Sequence, residues 1–192
     1  MAGSYNIKAA TFAGIAVGGW KGAIILGYTS AARLMDVCNM RWSSLDLENG
    51  LLEFRVRKTG KKAVIGLHPD FTEWLASQPP SYDPHAYLFP SLAGRVGAGK
   101  TGLSNEFKGI MKRANIVGKE LKSEGGNRLS TLSFHSLRHS SATSIYGNAA
   151  LESIPKRVTQ HSSRALKKYV HQDIEVLKAA TQLIPRLPKA AQ

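Results

Sequence analysis

The sequence predicts a mainly α-helical domain carrying one small antiparallel β-sheet, an α+β class. Three observations lead there. Apolar residues recur at helical spacing through the opening third and again from Ser104 to the end. Between them, Leu52, Phe54 and Val56 alternate with Glu53, Arg55 and Arg57, the period of a half-buried strand. The chain, at 192 residues, is long enough for one ordinary core and short for two.

Taken in order, Ile24, Ile25, Leu26, Tyr28, Leu34, Val37 and Met40 suit two buried helical segments broken around Gly27 to Ser30. The alternating strand follows. Thr59-Gly60-Lys61 then supplies a turn into Ala63 to Leu67, so an antiparallel hairpin is expected. Pro69 to Ser77 reads as a short helix started by its proline, and Pro79 to Pro90 as a turn-rich loop. A helix is expected over Ser104 to Asn115, with Ser104 as N-cap and Phe107, Ile110 and Met111 on one face. Gly118 to Ser130 is polar and glycine-bearing, which suits a mobile surface loop. Helical segments follow over Ser136 to Tyr146, Ile154 to Thr159, Ser163 to Val170 and Ile174 to Leu183. The first four residues, Met1-Ala2-Gly3-Ser4, look like an expression leader. Residues 5–172 are read as one domain and 173–192 as a tail helix.

Composition narrows the partners. Lys and Arg number 26 against 13 Asp and Glu, a formal charge of +13, which favours a polyanion such as nucleic acid. The single cysteine, Cys38, cannot form an internal disulfide and sits in an apolar stretch, consistent with a core residue in a reducing cytoplasm. The most apolar run, Ala23 to Tyr28, falls far short of the roughly 20 residues of a membrane span. No membrane partner is expected.

Gly94-Arg95-Val96-Gly97-Ala98-Gly99-Lys100-Thr101 satisfies the G-x-x-x-x-G-K-T pattern of a nucleotide-phosphate cradle. That mechanism needs a buried strand delivering the loop, and Pro90-Ser91-Leu92-Ala93 is no strand, while Gly102 opens a helix poorly. No nucleotide partner is expected, and Lys100 is read instead as a contact to a DNA phosphate.

Phe134-His135-Ser136-Leu137-Arg138-His139 places His135 and Arg138 on one face near a helix start, where free N–H groups favour an anion. His135 and His139, four apart, also suit a metal, but no H-E-x-x-H or cysteine cluster supplies further ligands. Downstream stand Thr159-Gln160-His161-Ser162-Ser163 and Lys167-Lys168-Tyr169-Val170-His171. Upstream stand Thr29-Ser30-Ala31-Ala32-Arg33-Leu34-Met35-Asp36, then Met40-Arg41-Trp42-Ser43-Ser44-Leu45-Asp46, Arg57-Lys58-Thr59-Gly60-Lys61-Lys62 and Leu88-Phe89-Pro90-Ser91.

In this order, over nearly the whole chain, these segments resemble the catalytic domain of the tyrosine recombinases, the phage integrase family. The resemblance implies the tyrosine-recombinase catalytic fold and six catalytic residues, Arg33, Lys58, His135, Arg138, His161 and Tyr169. It implies a DNA-rejoining enzyme of a mobile element that works through a covalent 3′-phosphotyrosyl intermediate without metal, ATP or other cofactor. It also implies an additional core-binding domain ahead of this one, and a homotetramer on double-stranded DNA formed from protomers that are monomers in isolation. Three positions depart from the family pattern. Ala31 stands where a glycine is usual, Gln160 replaces the glycine before the second histidine, and His161 and Tyr169 are eight apart, one fewer than is common.

The residue types suit that reaction. Phenol attack on a phosphodiester gathers charge on two non-bridging oxygens, which the permanently protonated guanidinium groups of Arg33 and Arg138 can clamp bidentately. Arg33 with Asp36 at i, i+3 is the alternative, a structural ion pair. Tyr169, whose ordinary pKa is about 10, needs a proton acceptor, for which His135 is placed. Lys58 would protonate the leaving 5′ oxygen, and by strand parity with Leu52, Phe54 and Val56 it is expected to face inward. His161 would donate a hydrogen bond to a non-bridging oxygen. Arg55, Lys61, Lys62, Lys100, Lys108 and Arg128 are read as contacts to backbone phosphates. A DNA-binding relative with a decayed site and a type IB topoisomerase are the competing readings. In the tail, Ile174, Leu177, Ala180, Leu183 and Ile184 form a near-helical stripe expected to dock either on a neighbouring protomer or on the chain's own domain.

Overall fold

The computed structural model describes residues 15–99, 102–122, 128–146 and 174–187. Its elements run α1 (Gly19–Ser30), α2 (Leu34–Cys38), a 3₁₀ turn (Trp42–Ser44), β1 (Leu45–Asp46), β2 (Leu51–Arg55), β3 (Lys62–Gly66), α3 (Pro69–Ala76), α4 (Leu103–Arg113), β4 (Glu120–Lys122), β5 (Arg128–Ser130), α5 (Phe134–Tyr146) and α6 (Ile174–Gln182). The expected segments at Ile154 to Thr159 and Ser163 to Val170 lie outside the described residues. The class is as expected, helices around a small antiparallel sheet in the order β1-β2-β3.

Helix α1 is buried nearly all round, from Trp20 through Ser30, so it is the axis of the core. The break after it falls at Ala31 to Arg33 and not at Gly27 to Ser30. Gly27 remains helical because the Phe134 ring of α5 lies over it, 2.3 Å from where a Cβ would stand. Glycine here serves close packing and not a turn. The turn is made by Ala31, left-handed at φ 53 and ψ 21, a conformation that costs a non-glycine residue roughly 1 kcal/mol or more. Gly22 serves the same packing purpose as Gly27, its missing Cβ space taken by the Trp74 ring.

The hairpin is as expected, with Leu52 opposite Ile65 and Phe54 opposite Ala63. Its strand ends at Arg55, however. Val56 and Lys61 close the tip, with Val56 N–H donating to Lys61 O at 2.9 Å and Gly60 N–H to Val56 O at 2.7 Å. Lys58 therefore lies in the turn, exposed, and the inward orientation inferred from strand parity does not hold. Helix α3 starts at its proline, with His68 as N-cap accepting the Asp70 N–H. Residues 79–90 are irregular as expected and are tied to the core by Arg41. Its guanidinium lies 4.2 Å from the Tyr87 ring centroid and donates to Tyr87 Oη at 2.9 Å and to the His85 carbonyl.

Helix α4 buries Phe107, Ile110 and Met111, but its N-cap is Gly102, two residues before the expected Ser104. Gly118 to Ser130 is not simply a loop. Its ends pair as β4 and β5, with Leu121 opposite Leu129. The core joins Trp20, Phe107 and Phe134 on one side to Phe71, Trp74 and Phe89 on the other. Cys38 lies wholly inside it, and burial pushes its thiol up to about 12, an inert core group as expected.

Helix α6 docks in cis. Leu177, Ala180, Thr181 and Ile184 are buried against β3, where Gly66 permits contact so close that a Cβ would stand 2.8 Å from Lys178 Cα. The chain beyond is latched by polar contacts, with His68 Nε2 bonded to the Ile184 carbonyl at 3.0 Å, Leu187 N–H donating to Asp70 at 2.7 Å and Arg186 paired with Asp70 at 2.7 Å and with Glu73.

Candidate active site

Three of the six candidate catalytic residues, and the candidate phosphate contact Lys108, meet at one cavity of about 340 Å³. Arg33, Lys58 and His135 line it, together with Asp36, Arg57, Gly97, Ser104 and Lys108. Each arrives by a different element. Arg33 is the N-cap of α2, extended at φ −77 and ψ 154, with its carbonyl accepting the Asp36 and Val37 N–H groups at 2.9 Å. Lys58 and Arg57 sit in the β2–β3 turn. His135 follows the first residue of α5, and Ser104 and Lys108 lie a turn apart on α4.

Arg138, one turn along α5 from His135, donates from Nη1 to the Ala31 carbonyl at 2.6 Å. Its charge is felt at His135. The imidazole pKa is held below the ordinary value, first by burial and then by the neighbouring charges of His139, Arg138 and Arg33. Both effects favour the neutral imidazole, the form that can accept a proton. The His135 and His139 rings stand edge to face with centroids 4.7 Å apart, and no group of three metal-ligating side chains gathers among the described residues.

Asp36 does not pair with Arg33. It is buried, and its Oδ1 accepts the Arg57 backbone N–H at 3.0 Å, tying α2 to the turn that carries Lys58. Its Oδ2 has no hydrogen-bond partner among the described residues. Arg57, Ser104 and Gly97 went unselected in the sequence. For Arg57 a signal existed, adjacency to Lys58 in a cationic turn. For Ser104 and Gly97 there was none, because only the fold brings them to the cavity.

The expected phosphate-contacting residues divide. Lys108 lines the cavity. Arg55 and Lys62 lie at the hairpin, Arg55 donating to the Gly60 carbonyl at 3.2 Å and Lys62 paired with Glu53 at 2.6 Å, and Lys61 is exposed at its tip. Arg128 opens β5. Lys100, His161 and Tyr169 lie outside the described residues.

The glycine-rich loop folds back on the N-terminus of α4, while its Lys100 and Thr101 lie outside the described residues. Leu103 N–H donates to Val96 O at 3.0 Å and Ser104 N–H to Gly97 O at 2.9 Å, so the loop's own carbonyls occupy the amides that would hold phosphate. Residues 91–94 are a turn and not a strand. Glu106 fastens the arrangement, accepting from Trp20 Nε1 at 2.8 Å and pairing with Arg95 at 2.6 Å.

The described residues thus form a helical domain with a small sheet and a cavity lined by arginine, lysine and histidine. The sequence matches the model of the phage integrase family over residues 20–175, and the chain belongs to that family, the tyrosine recombinases. Among solved structures, it is similar to the integrase from mycobacterium phage Brujita, with a TM-score of 0.65 and 16% identity over 97% of this chain and 59% of that one. It is similar also to the XerA recombinase, with a TM-score of 0.58 and 18% identity over 94% of this chain and 64% of that one. A third is the XerH site-specific recombinase bound to a palindromic difH substrate in a post-cleavage complex, with a TM-score of 0.51 and 18% identity over 91% and 51%. The chain thus spans less than two thirds of each of these proteins. Comparison with curated proteins returned no match. No helix among the described residues is long and apolar enough to cross a membrane.

Proposed function

We propose that this chain is the catalytic domain of a site-specific DNA recombinase that cleaves and rejoins strands through a 3′-phosphotyrosyl intermediate formed by Tyr169. The observation that carries this is the convergence of Arg33, Lys58 and His135, from three distant segments, on one cavity; Arg138 is not among the lining residues but follows His135 by one turn of α5 and is bonded to the Ala31 carbonyl. Family membership supports the same chemistry.

Arg33 and Arg138 hold the two non-bridging oxygens of the scissile phosphate, where charge accumulates as the phenol attacks. His135 takes the Tyr169 proton, directly or through a water. The Tyr169 Oη–P bond forms as the P–O5′ bond breaks, and Lys58 gives its proton to the departing 5′ oxygen. His161 donates a hydrogen bond to a non-bridging oxygen. The phosphotyrosyl bond keeps the energy of the phosphodiester, so attack by a DNA 5′-hydroxyl reverses the step and exchanges strands without ATP or metal. Lys108 contacts the backbone beside the scissile phosphate, while Arg55, Lys61, Lys62, Lys100 and Arg128 add charge around it that sets affinity and register. The chain assembles as a homotetramer on two duplexes from protomers that are monomers alone, each with α6 docked on β3 in the free state.

The test is covalent trapping on nicked duplexes, from which the cleaved end is lost and the adduct cannot reverse. The wild-type chain accumulates adduct, and Tyr169→Phe binds the duplex equally and forms none. An adduct that persists in Tyr169→Phe refutes the assignment, and binding without adduct in the wild type identifies a passive DNA binder.

A further inference from the structure

The sequence departs from the family's glycine at position 31, and the structure gives that position a task. Ala31 is fully buried and left-handed, a backbone that L side chains rarely adopt. It closes α1, whose last carbonyls lack intrahelical donors and carry the negative end of the helix dipole. The Ala31 carbonyl meets the Arg138 guanidinium at 2.6 Å, a charge-assisted bond. On the other side of the turn, Ser30 Oγ accepts the Ala32 N–H at 3.2 Å, holding the chain as it leaves Ala31, and Arg33 follows as the cap of α2.

The geometry points to Ala31 as a positioning residue: its left-handed backbone aims a carbonyl that holds Arg138 on the turn leading to Arg33 before any phosphate arrives. One tripeptide turn then sets both halves of the clamp, Arg33 through the backbone and Arg138 through a hydrogen bond across the α1–α5 contact. A right-handed Ala31 would re-aim the carbonyl and break that bond. Strain of this kind persists where the surrounding structure enforces it and a function uses it. The inference rests on the proposed role of the two arginines as the phosphate clamp, but its geometric half can be measured without DNA.

The experiment compares the wild type with Ala31→Gly, Ala31→Val and Ser30→Ala. Glycine accepts the left-handed region freely, whereas a β-branched residue resists it. Nitrogen-15 spectra of the arginine guanidinium groups, with Arg138 assigned through Arg138→Lys, report whether its Nη atoms are held or rotate. A resolved, protected Arg138 Nη1 signal is expected in the wild type and Ala31→Gly, a shifted and less protected one in Ala31→Val, and an intermediate one in Ser30→Ala. Cleavage is read in a single turnover on nicked duplexes recovered from a randomised pool by covalent capture with the wild type. At temperatures where circular dichroism shows each variant folded, Ala31→Gly is expected to cleave within threefold of the wild type. Ala31→Val is expected to lose at least tenfold in rate, with affinity for the duplex changed less than threefold. A freely rotating Arg138 in the wild type overturns the inference, as does a folded Ala31→Val that cleaves at full rate or loses binding and cleavage in proportion. Should Ala31→Val fail to fold, the wild-type spectrum and Ser30→Ala decide. Failure of the wild type to capture any duplex would count against the proposed reaction, while the spectra still report on the carbonyl anchor.

Discussion

Substituting Gly66 by alanine tests how the tail is held. Gly66 lies in β3 without the positive φ that would require glycine, so on backbone grounds alanine gains about 0.4–1 kcal/mol from the unfolded chain. Packing opposes it. The new Cβ would stand 2.8 Å from Lys178 Cα, 3.0 Å from the Leu177 carbonyl oxygen and 3.1 Å from Thr181 Oγ1. Two of those three atoms are backbone, so no rotamer relieves them, and α6 must retreat by about 1 Å to reach ordinary contact. Leu177 and Ile184 are the large apolar side chains that α6 and its C-terminal turn bury, and full burial of each stabilises by roughly 1.5–3 kcal/mol. A gap of that size forfeits a quarter to a half of the contact energy. The loss comes to about 1–3 kcal/mol, the usual cost of overpacking, and exceeds the backbone gain. Amide hydrogen exchange in α6 should therefore accelerate by about tenfold or more while exchange in α1 holds. Thermal denaturation should begin earlier. Unchanged exchange in α6, or a rise in melting temperature, would refute cis docking through close contact at Gly66.

Other expectations follow from particular groups. Ser141 is fully buried and its hydroxyl has no hydrogen-bond partner among the described residues, so Ser141→Ala should leave stability equal or higher by up to about 1 kcal/mol in a denaturant titration, and a loss greater than that would reveal a missing partner. The His68 pKa is depressed mainly by burial. Both folded and unfolded chains hold it neutral above about pH 6.5, below which the unfolded chain takes the proton first; stability should fall from there to the lower folded value and then level, and His68→Gln should flatten that limb in melts recorded against pH. His135 is depressed likewise, and if it is the base in cleavage, the acid limb of the single-turnover rate lies below about pH 6.5 and moves upward in His139→Gln, which removes one neighbouring charge. A limb above pH 7 would assign the base elsewhere.

The hairpin and the buried face of α4 were legible because alternation and helical spacing state directly which side of an element meets the core. The site was legible as a set of residue types in order, while its assembly was not. Asp36 reads locally as a partner for Arg33, yet it reaches across to the Arg57 amide, a choice made by packing of α2 on the hairpin turn. A glycine misled for a physical reason. Gly27 looks like a chain breaker, but it is the space the Phe134 ring needs, and the turn falls instead at Ala31, whose side chain advertises nothing. Lys58 failed the parity rule because the strand ended three residues before it. The strands β4 and β5 were missed because three residues are too few to display a period.

The bonds that occupy the first amides of α4 also tie one wall of the cavity to the core. With Val96 and Gly97 bonded to the first amides of α4, Arg95 holding Glu106 and Glu106 holding Trp20, the loop, α4 and the first turn of α1 are riveted into one plate. Ser104 and Lys108 ride on that plate, and Gly97 rests against Met35 of α2. On the proposed reading, a DNA phosphate approaching Arg33 would meet a wall braced by these bonds on one side and the exposed hairpin turn bearing Lys58 on the other.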